Sequence, residues 1–571
     1  MALGETHAGF WQRHRWLKWV GAGVLVLLVA VGVAVSVALH RAEPFVRARI
    51  VQALEDRFHA RVELDSFHMS LAGGLRAEGH GLRIWPPATV AGVTVPGTSD
   101  TSNPNDPLIA LEDFRFRAPL HYEPGKPFHV SMIQLTGLEI HLPPRSRFLH
   151  AAGAERAQPD AARKLLAFNV GRIECTDAHL VLGTSKPGKV PLDFAIARFT
   201  LTGSDGGSIN IGQPMRFDAE LTNPKPVGLI HSTGEFGPWM VGDPGESPIE
   251  GEYQFDHADL ASFKGIAGIL SSTGKYEGTL RDLTVDGDTD TPDFRLTHFG
   301  NALPLHTHFH AKVDATNGDT WLEPVDAVLG RSHFTAQGQV VRVPDPHAPA
   351  DHPASMGHDI ALDIHINGAR MDDFLRLASK DATTPLLSGA LAMKAALHIP
   401  PGPAPVHERM TLKGNFNLDE AHFTSDKIQD RITELSLRGQ GLAKQIKTAD
   451  SAAARSTMTG DFQMAKGVIA LPSLVYMVPG ATIELKGTYG VDGGALDFAG
   501  TAKLDATVSQ MVGGVFGVLL KPADRFFRKD GAGTEVPIHI SGTREEPKFG
   551  IDLGRMRHKP DSAPAPPAEK Q

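Results

Sequence analysis

Apolar residues recur at every second position over most of this chain, a rhythm that demands strands wet on one side and greasy on the other. In "HDIALDIHING" the apolar set is Ile360, Leu362, Ile364 and Ile366, while Asp363, His365 and Asn367 face the other way. Leu391, Met393, Leu397 and Ile399 oppose Lys394 and His398, and Met410, Leu412, Phe416 and Leu418 oppose Thr411, Lys413, Asn415, Asn417 and Asp419. Ile483, Leu485 and Tyr489 stand against Glu484, Lys486 and Thr488; Val536, Ile538 and Ile540 stand against Glu535 and His539. Parallel strands covered by helices on both faces would read as unbroken apolar runs, so the prediction is a mainly β fold with a mostly antiparallel sheet. Gly414, Gly487, Gly500 and Gly542 fall in the apolar phase, where a curling sheet needs residues without Cβ.

Residues 60–555 have room for roughly 25–30 strands, and one sheet of that size would run roughly 120–145 Å at about 4.8 Å per strand. Open sheets beyond about ten strands curl or split. Curled with the apolar face inward, the sheet makes a long groove; split into two-layer sandwiches, the same residues make closed cores. Alternation alone does not separate the two. Aromatics are only 7% of the chain, and the inward set is mostly Leu, Ile, Val, Met and Ala. That surface suits acyl chains, whose burial gains about 0.8 kcal/mol per methylene. On the groove reading the lining is Ile360, Leu362, Ile364, Ile366, Leu391, Met393, Leu397, Leu412, Phe416, Ile483, Leu485, Ile538 and Ile540. Aspartate at Ile364 and Leu397 would then block lipid without unfolding the chain.

Val20–Leu39 carries no charge over twenty residues, long enough to cross a hydrocarbon core of about 30 Å as a helix. Trp11, Trp16 and Trp19 precede it beside Arg13, Arg15 and Lys18, as at a headgroup boundary. A retained single-pass anchor is predicted, with residues 1–19 cytoplasmic, 20–39 spanning, and the bulk of the chain outside. After it, Phe45, Val46, Ile50, Leu54 and Phe58 share a helical face from Pro44 to Phe58. Residues 86–107 read as a loop, and short helices are predicted at 260–270, 371–379 and Ser509–Phe527. Segments 40–90, 91–400 and 401–555 then divide the outer region, and 556–571 is a proline-rich tail.

Net charge is −9 from balanced totals with no basic block, which argues against nucleic acid as a partner. The lone Cys175 allows no intramolecular disulfide and reads as a small core residue. "GTSKPGKV" at 183–190 has P-loop spacing, but Val190 stands where a magnesium-binding hydroxyl belongs and a strand follows instead of a helix. Asp286, Asp288 and Asp290 imitate a calcium loop, yet Thr291 and Thr297 replace the required Gly and Glu, so a solvated acidic turn is predicted. His306, His308 and His310 fall on one strand face about 6.5–7 Å apart in succession, a poor cage for one zinc ion, so they read as a wet face. No catalytic constellation, metal or cofactor is expected.

The segment "AEPFVRARIVQALEDRFHARVELDSFHMSLAGGLRAEGHGLRI" and the C-terminal "LKGNFNLDEAHFTSDKIQDRITELSLRGQG" and "IELKGTYGVDGGALDFAGTAKLDATVSQMVGGVFGVLLKPADRFFRKDGAGTEVPIHISGTREEPKFGIDL" resemble the AsmA-like proteins of Gram-negative envelopes. These are relatives of TamB and of the chorein-type bridge-like lipid transfer proteins. The resemblance implies an inner-membrane-anchored, periplasmic β-groove carrying phospholipid toward the outer membrane, working with an outer-membrane or periplasmic protein partner. It carries over no catalytic residues. Two other readings stand beside it: an assembly factor that pairs a free sheet edge with outer-membrane strands, and a scaffold of ordinary sandwiches.

Overall fold

The computed structural model describes residues 43–551 with breaks, the larger ones at 86–106, 120–127, 143–167, 183–190, 347–355, 379–384, 446–454 and 513–532. The predicted anchor, the glycine-lysine turn at 183–190 and the tail lie outside the described residues. Among those described, no helix is long and apolar enough to cross a membrane.

Strands dominate, as alternation requires. Of the twenty-six described strands, twenty-four share a mostly antiparallel sheet and two form a separate parallel pair. The chain divides into two compact units, Met1–Pro224 with Ile230–Pro248, and Lys225–Leu229 with Ile249–Gln571.

The first unit contains β1 (Val62–Ser70), β2 (Leu75–Ile84), β3 (Ile109–Ala118), β4 (Phe128–Val130), β5 (Met132–Leu142), β6 (Phe168–Val170), β7 (Arg172–Leu182), β8 (Leu192–Gly203), β9 (Met215–Pro224) and most of β10 (Val227–Phe236). β1, β2, β3 and β5 pair antiparallel in turn; β5 then pairs parallel with β7, and β7, β8 and β9 continue antiparallel. Leu64, Phe67, Leu111 and Phe114 form its buried cluster, and Val46, Ile50 and Val51 of the helix at 43–52 pack on them. Phe45, predicted for that face, instead points away and is 72% exposed. Phe114 lies over Gly79 of the neighbouring strand, where an added Cβ would meet its ring at 2.1 Å. Cys175 is buried in β7, and burial pushes its thiol pKa up, in keeping with an inert core residue.

The second unit holds β11 (Pro248–Asp259), β12 (Ile266–Ala267), β13 (Ile269–Thr279), β14 (Leu283–Leu296), β15 (Ala302–Asp314), β16 (Asp319–Leu329), β17 (Ser332–Pro344), β18 (Met356–Arg370), β19 (Leu387–Ile399), β20 (Thr411–Phe423), β21 (Thr457–Ala465), β22 (Val468–Val478), β23 (Ala481–Gly490), β24 (Ala495–Leu504), β25 (Thr534–Thr543) and β26 (Pro547–Ile551). From β13 to β26 each strand pairs antiparallel with the next, an unbroken meander.

The predicted helix at 260–270 is only a 3-10 turn, Leu260–Ser262, running into β12. Gly265 (φ +99°) and Gly268 (φ +140°) take left-handed backbone there, which halts a helix despite its apolar spacing. The helix predicted at 371–379 is present as Met371–Leu377. Of Ser509–Phe527, only the turn Val508–Val512 falls within the described residues. A further helix, Asp426–Gly439, was not predicted. Its Ile428, Ile432 and Leu435 are spaced for one helical face, and Asp426 and Arg438 sit at the ends that suit their charges.

The in-phase glycines answer to backbone approach. A Cβ on Gly500 would lie 1.9 Å from the carbonyl oxygen of Glu484 and 2.9 Å from Cα of Leu485, both on the adjacent strand. A Cβ added to Gly414 would lie 2.1 Å from the Lys394 carbonyl oxygen, and one added to Gly487 2.1 Å from that of Asp497. Gly500→Ala must part β23 from β24 and is expected to cost about 1–3 kcal/mol in chemical denaturation. Gly207→Ala, where the methyl meets open space, is the near-neutral control.

Candidate functional site

The meander stacks its apolar residues in rows that cross the strands. One row runs Ala369, Leu391, Leu418, Met458, Tyr476, Ile483, Ala502 and Val536. The next runs Phe334, Ile366, Met393, Phe416, Gly460, Leu474, Leu485, Gly500 and Ile538. A third carries Ala336, Ile364, Ala395, Gly414 and Phe462, and resumes beyond the β22 bulge with Leu471, Gly487, Phe498 and Ile540. A fourth carries Gly338, Leu362, Leu397, Leu412, Met464, Ile469, Tyr489 and Leu496, with Ile360 opposite Ile399 beyond it. All thirteen residues predicted as lining therefore share one face of one unit. Eight steps of about 4.8 Å carry the second row from Phe334 to Ile538 over roughly 38 Å.

This face is not uniform. Its first rows are covered: Ile366 is 1% exposed, Leu391 3% and Leu418 0%, in a cluster with Ala369, Leu387, Ala421, Tyr476, Val478, Ala481 and Leu504. Met371, Phe374 and Leu375 of one helix, Ile432 and Leu435 of the other, and Met511 close over it. Polar anchors hold both helices down. Asp373, buried, accepts from Ser332 Oγ (2.8 Å) and the Arg331 backbone N–H (3.1 Å). Ser436 Oγ donates to the Pro479 carbonyl at 2.7 Å, and Gln429 Oε1 accepts from the Phe423 N–H at 3.1 Å.

Ile366 and Leu391 are thus core residues, which corrects their reading as open lining. Phe416, Met393, Ile364 and Ile483 border the cluster. Ile360, Leu362, Leu397, Leu412, Leu485, Ile538 and Ile540 belong to no buried cluster among the described residues and are each half-buried. In a two-layer sandwich such inner-face positions interdigitate and close to solvent. Here the uncovered rows keep part of their apolar surface open.

The opposite face is polar and pairs its charges. A cleft of about 800 Å³ is lined by His365, Lys394, Asn415 and Asp461 in one polar row, by Asp363 and Lys413 in the next, and by Ala336, Ile364, Ala395, Gly414 and Phe462 of the third apolar row between them. Histidine–aspartate pairs join neighbouring strands within each unit: His80–Asp113 at 3.1 Å and His179–Asp193 at 2.9 Å in the first, His398–Asp359 at 2.8 Å and His539–Asp497 at 3.1 Å in the second. His306, His308 and His310 are indeed wet, 59%, 54% and 41% exposed in their side chains. Their partners are the three aspartates expected in a turn. Asp286, Asp288 and Asp290 lie within β14, opposite His310, His308 and His306 of β15. Among the described residues no group of three or more His, Cys, Asp or Glu side chains is arranged to hold a metal ion.

No protein-family model matches the chain, and no curated protein and no solved structure matches it.

Proposed function

We propose that the uncovered rows of the apolar face hold the acyl chains of phospholipid, and that the chain conducts lipid from the inner membrane toward the outer membrane. The observation that carries this reading is the unequal cover of one face, sealed by helices over Ile366, Leu391 and Leu418 yet half-open at Leu362, Leu397 and Leu412. Burial against such a wall gains about 0.8 kcal/mol per methylene, so a chain of about sixteen carbons gains on the order of 10 kcal/mol. That rivals a bilayer. Because the attraction has no direction, a guest slides along a row instead of being fixed in it.

The AsmA-like resemblance supplies the setting: an anchor at residues 20–39, the bulk of the chain in the periplasm, and an outer-membrane or periplasmic partner at delivery. The role is non-enzymatic, with no metal or cofactor. A sandwich scaffold fits less well, because it calls for inner faces closed to solvent.

The test is mass spectrometry of lipids that purify with the full-length chain, compared with its Leu412→Asp variant so that lipid held by the anchor cancels. Phospholipid retained by the native chain and lost from the variant is the expected result. Equal lipid in both overturns the reading.

A further inference from the structure

We propose that the β14–β15 seam is a proton-operated clasp, closed in mild acid and loosened toward alkaline pH, whether or not the opposite face carries lipid. Three histidines on β15 meet three aspartates on β14: His306 Nδ1 lies 2.9 Å from Asp290 Oδ1, His308 Nδ1 3.0 Å from Asp288 Oδ1, and His310 Nδ1 3.5 Å from Asp286 Oδ2. The pairs sit at successive wet positions of one hairpin, so all three bridge the same pair of strands. Three such pairs thus stand in a row on this one seam.

The surroundings reinforce the charge pattern. From β16, Asp326 stands opposite His308, and Glu323 Oε2 lies 3.7 Å from His310 Nε2. Asp326 is shared with His333 of β17 at 3.7 Å. From β13, Lys275 is opposite Asp286 but is drawn to Glu252 at 2.8 Å. Lys312 follows on β15 opposite Thr284, and Tyr253 approaches Gly287 from the other face. Carboxylates therefore outnumber the cations that compete with the three imidazoles.

Neutral imidazole gives each pair an ordinary hydrogen bond; protonated imidazole gives a charge-assisted one. The hydrogen bond to Asp288 is the largest influence on His308 and outweighs the opposing desolvation; with the charges of Asp288, Asp286 and Asp326 it raises the pKa above its usual value. A histidine pKa raised by folding adds stability that is fully present below the unfolded value of about 6.5 and is lost as pH climbs through the folded value. Falling pH through that range therefore tightens this seam, the reverse of the usual acid weakening.

Hydrogen exchange on the full-length chain, corrected for intrinsic rates, tests this. Protection of residues 283–314 is expected to fall at least about threefold between about pH 6 and pH 8.5. Protection of the β20–β21 seam, where no histidine pairs with a carboxylate among the described residues, is expected to hold. In His306→Gln/His308→Gln/His310→Gln the fall at 283–314 should vanish. If that variant does not fold, His308→Gln alone should reduce the fall. An equal fall at both seams, or an undiminished fall in the folded variant, overturns the clasp.

Discussion

Leu418→Ala is expected to destabilise the second unit by about 3 kcal/mol, read as a lowered denaturation midpoint with unchanged slope. Leu418 is completely buried, beneath the helices Met371–Leu377 and Asp426–Gly439 and among Ile366, Leu391 and Tyr476. Removing its branched end leaves a cavity that anchored helices cannot collapse to fill. The Gln429 and Ser436 hydrogen bonds pin the second helix to strand backbone, and Asp373 ties the first to the β16–β17 turn. A cost below about 1 kcal/mol would mean that this end of the apolar face is not a packed core.

Leu397→Asp and Leu412→Asp should behave oppositely. Both residues are half-buried in the uncovered fourth row, directly opposite each other on β19 and β20. A carboxylate there keeps access to water, so each variant should lose about 1 kcal/mol of stability or less. Bound lipid should fall at least about tenfold, since an acyl chain laid over a carboxylate strips its hydration. The contrast with Leu418 is the sharp point: a deep core residue trades in stability, a groove residue in ligand. Ile364, bordering the helix-covered cluster, should lose both when changed to Asp, so it separates the two effects poorly.

The strands were legible because alternation is a local signal that pairing then amplifies. Ile360 to Ile366 kept their common face through register with β17 and β19. Cover was not legible, because it depends on which distant helices return to which end of the sheet. The Asp426–Gly439 helix had a readable apolar spacing, but its buried side includes Gln429, Thr433 and Ser436, which do not announce a core-facing surface. Phe45 failed for a related reason: helical spacing marks a face, and only packing decides how wide that face is. The acidic triplet reads as a turn because its spacing imitates the start of a calcium loop. Its period-two match to His306, His308 and His310 across one hairpin was the signal that placed it in a strand.

Photo-crosslinking in the native membrane tests the vacant-face account most directly. A crosslinking residue at Leu397 or Leu412 should capture phospholipid, whereas one at Lys413, on the opposite face of the same strand, should capture none. Equal capture at Leu412 and Lys413, or none at Leu397 and Leu412, would contradict it.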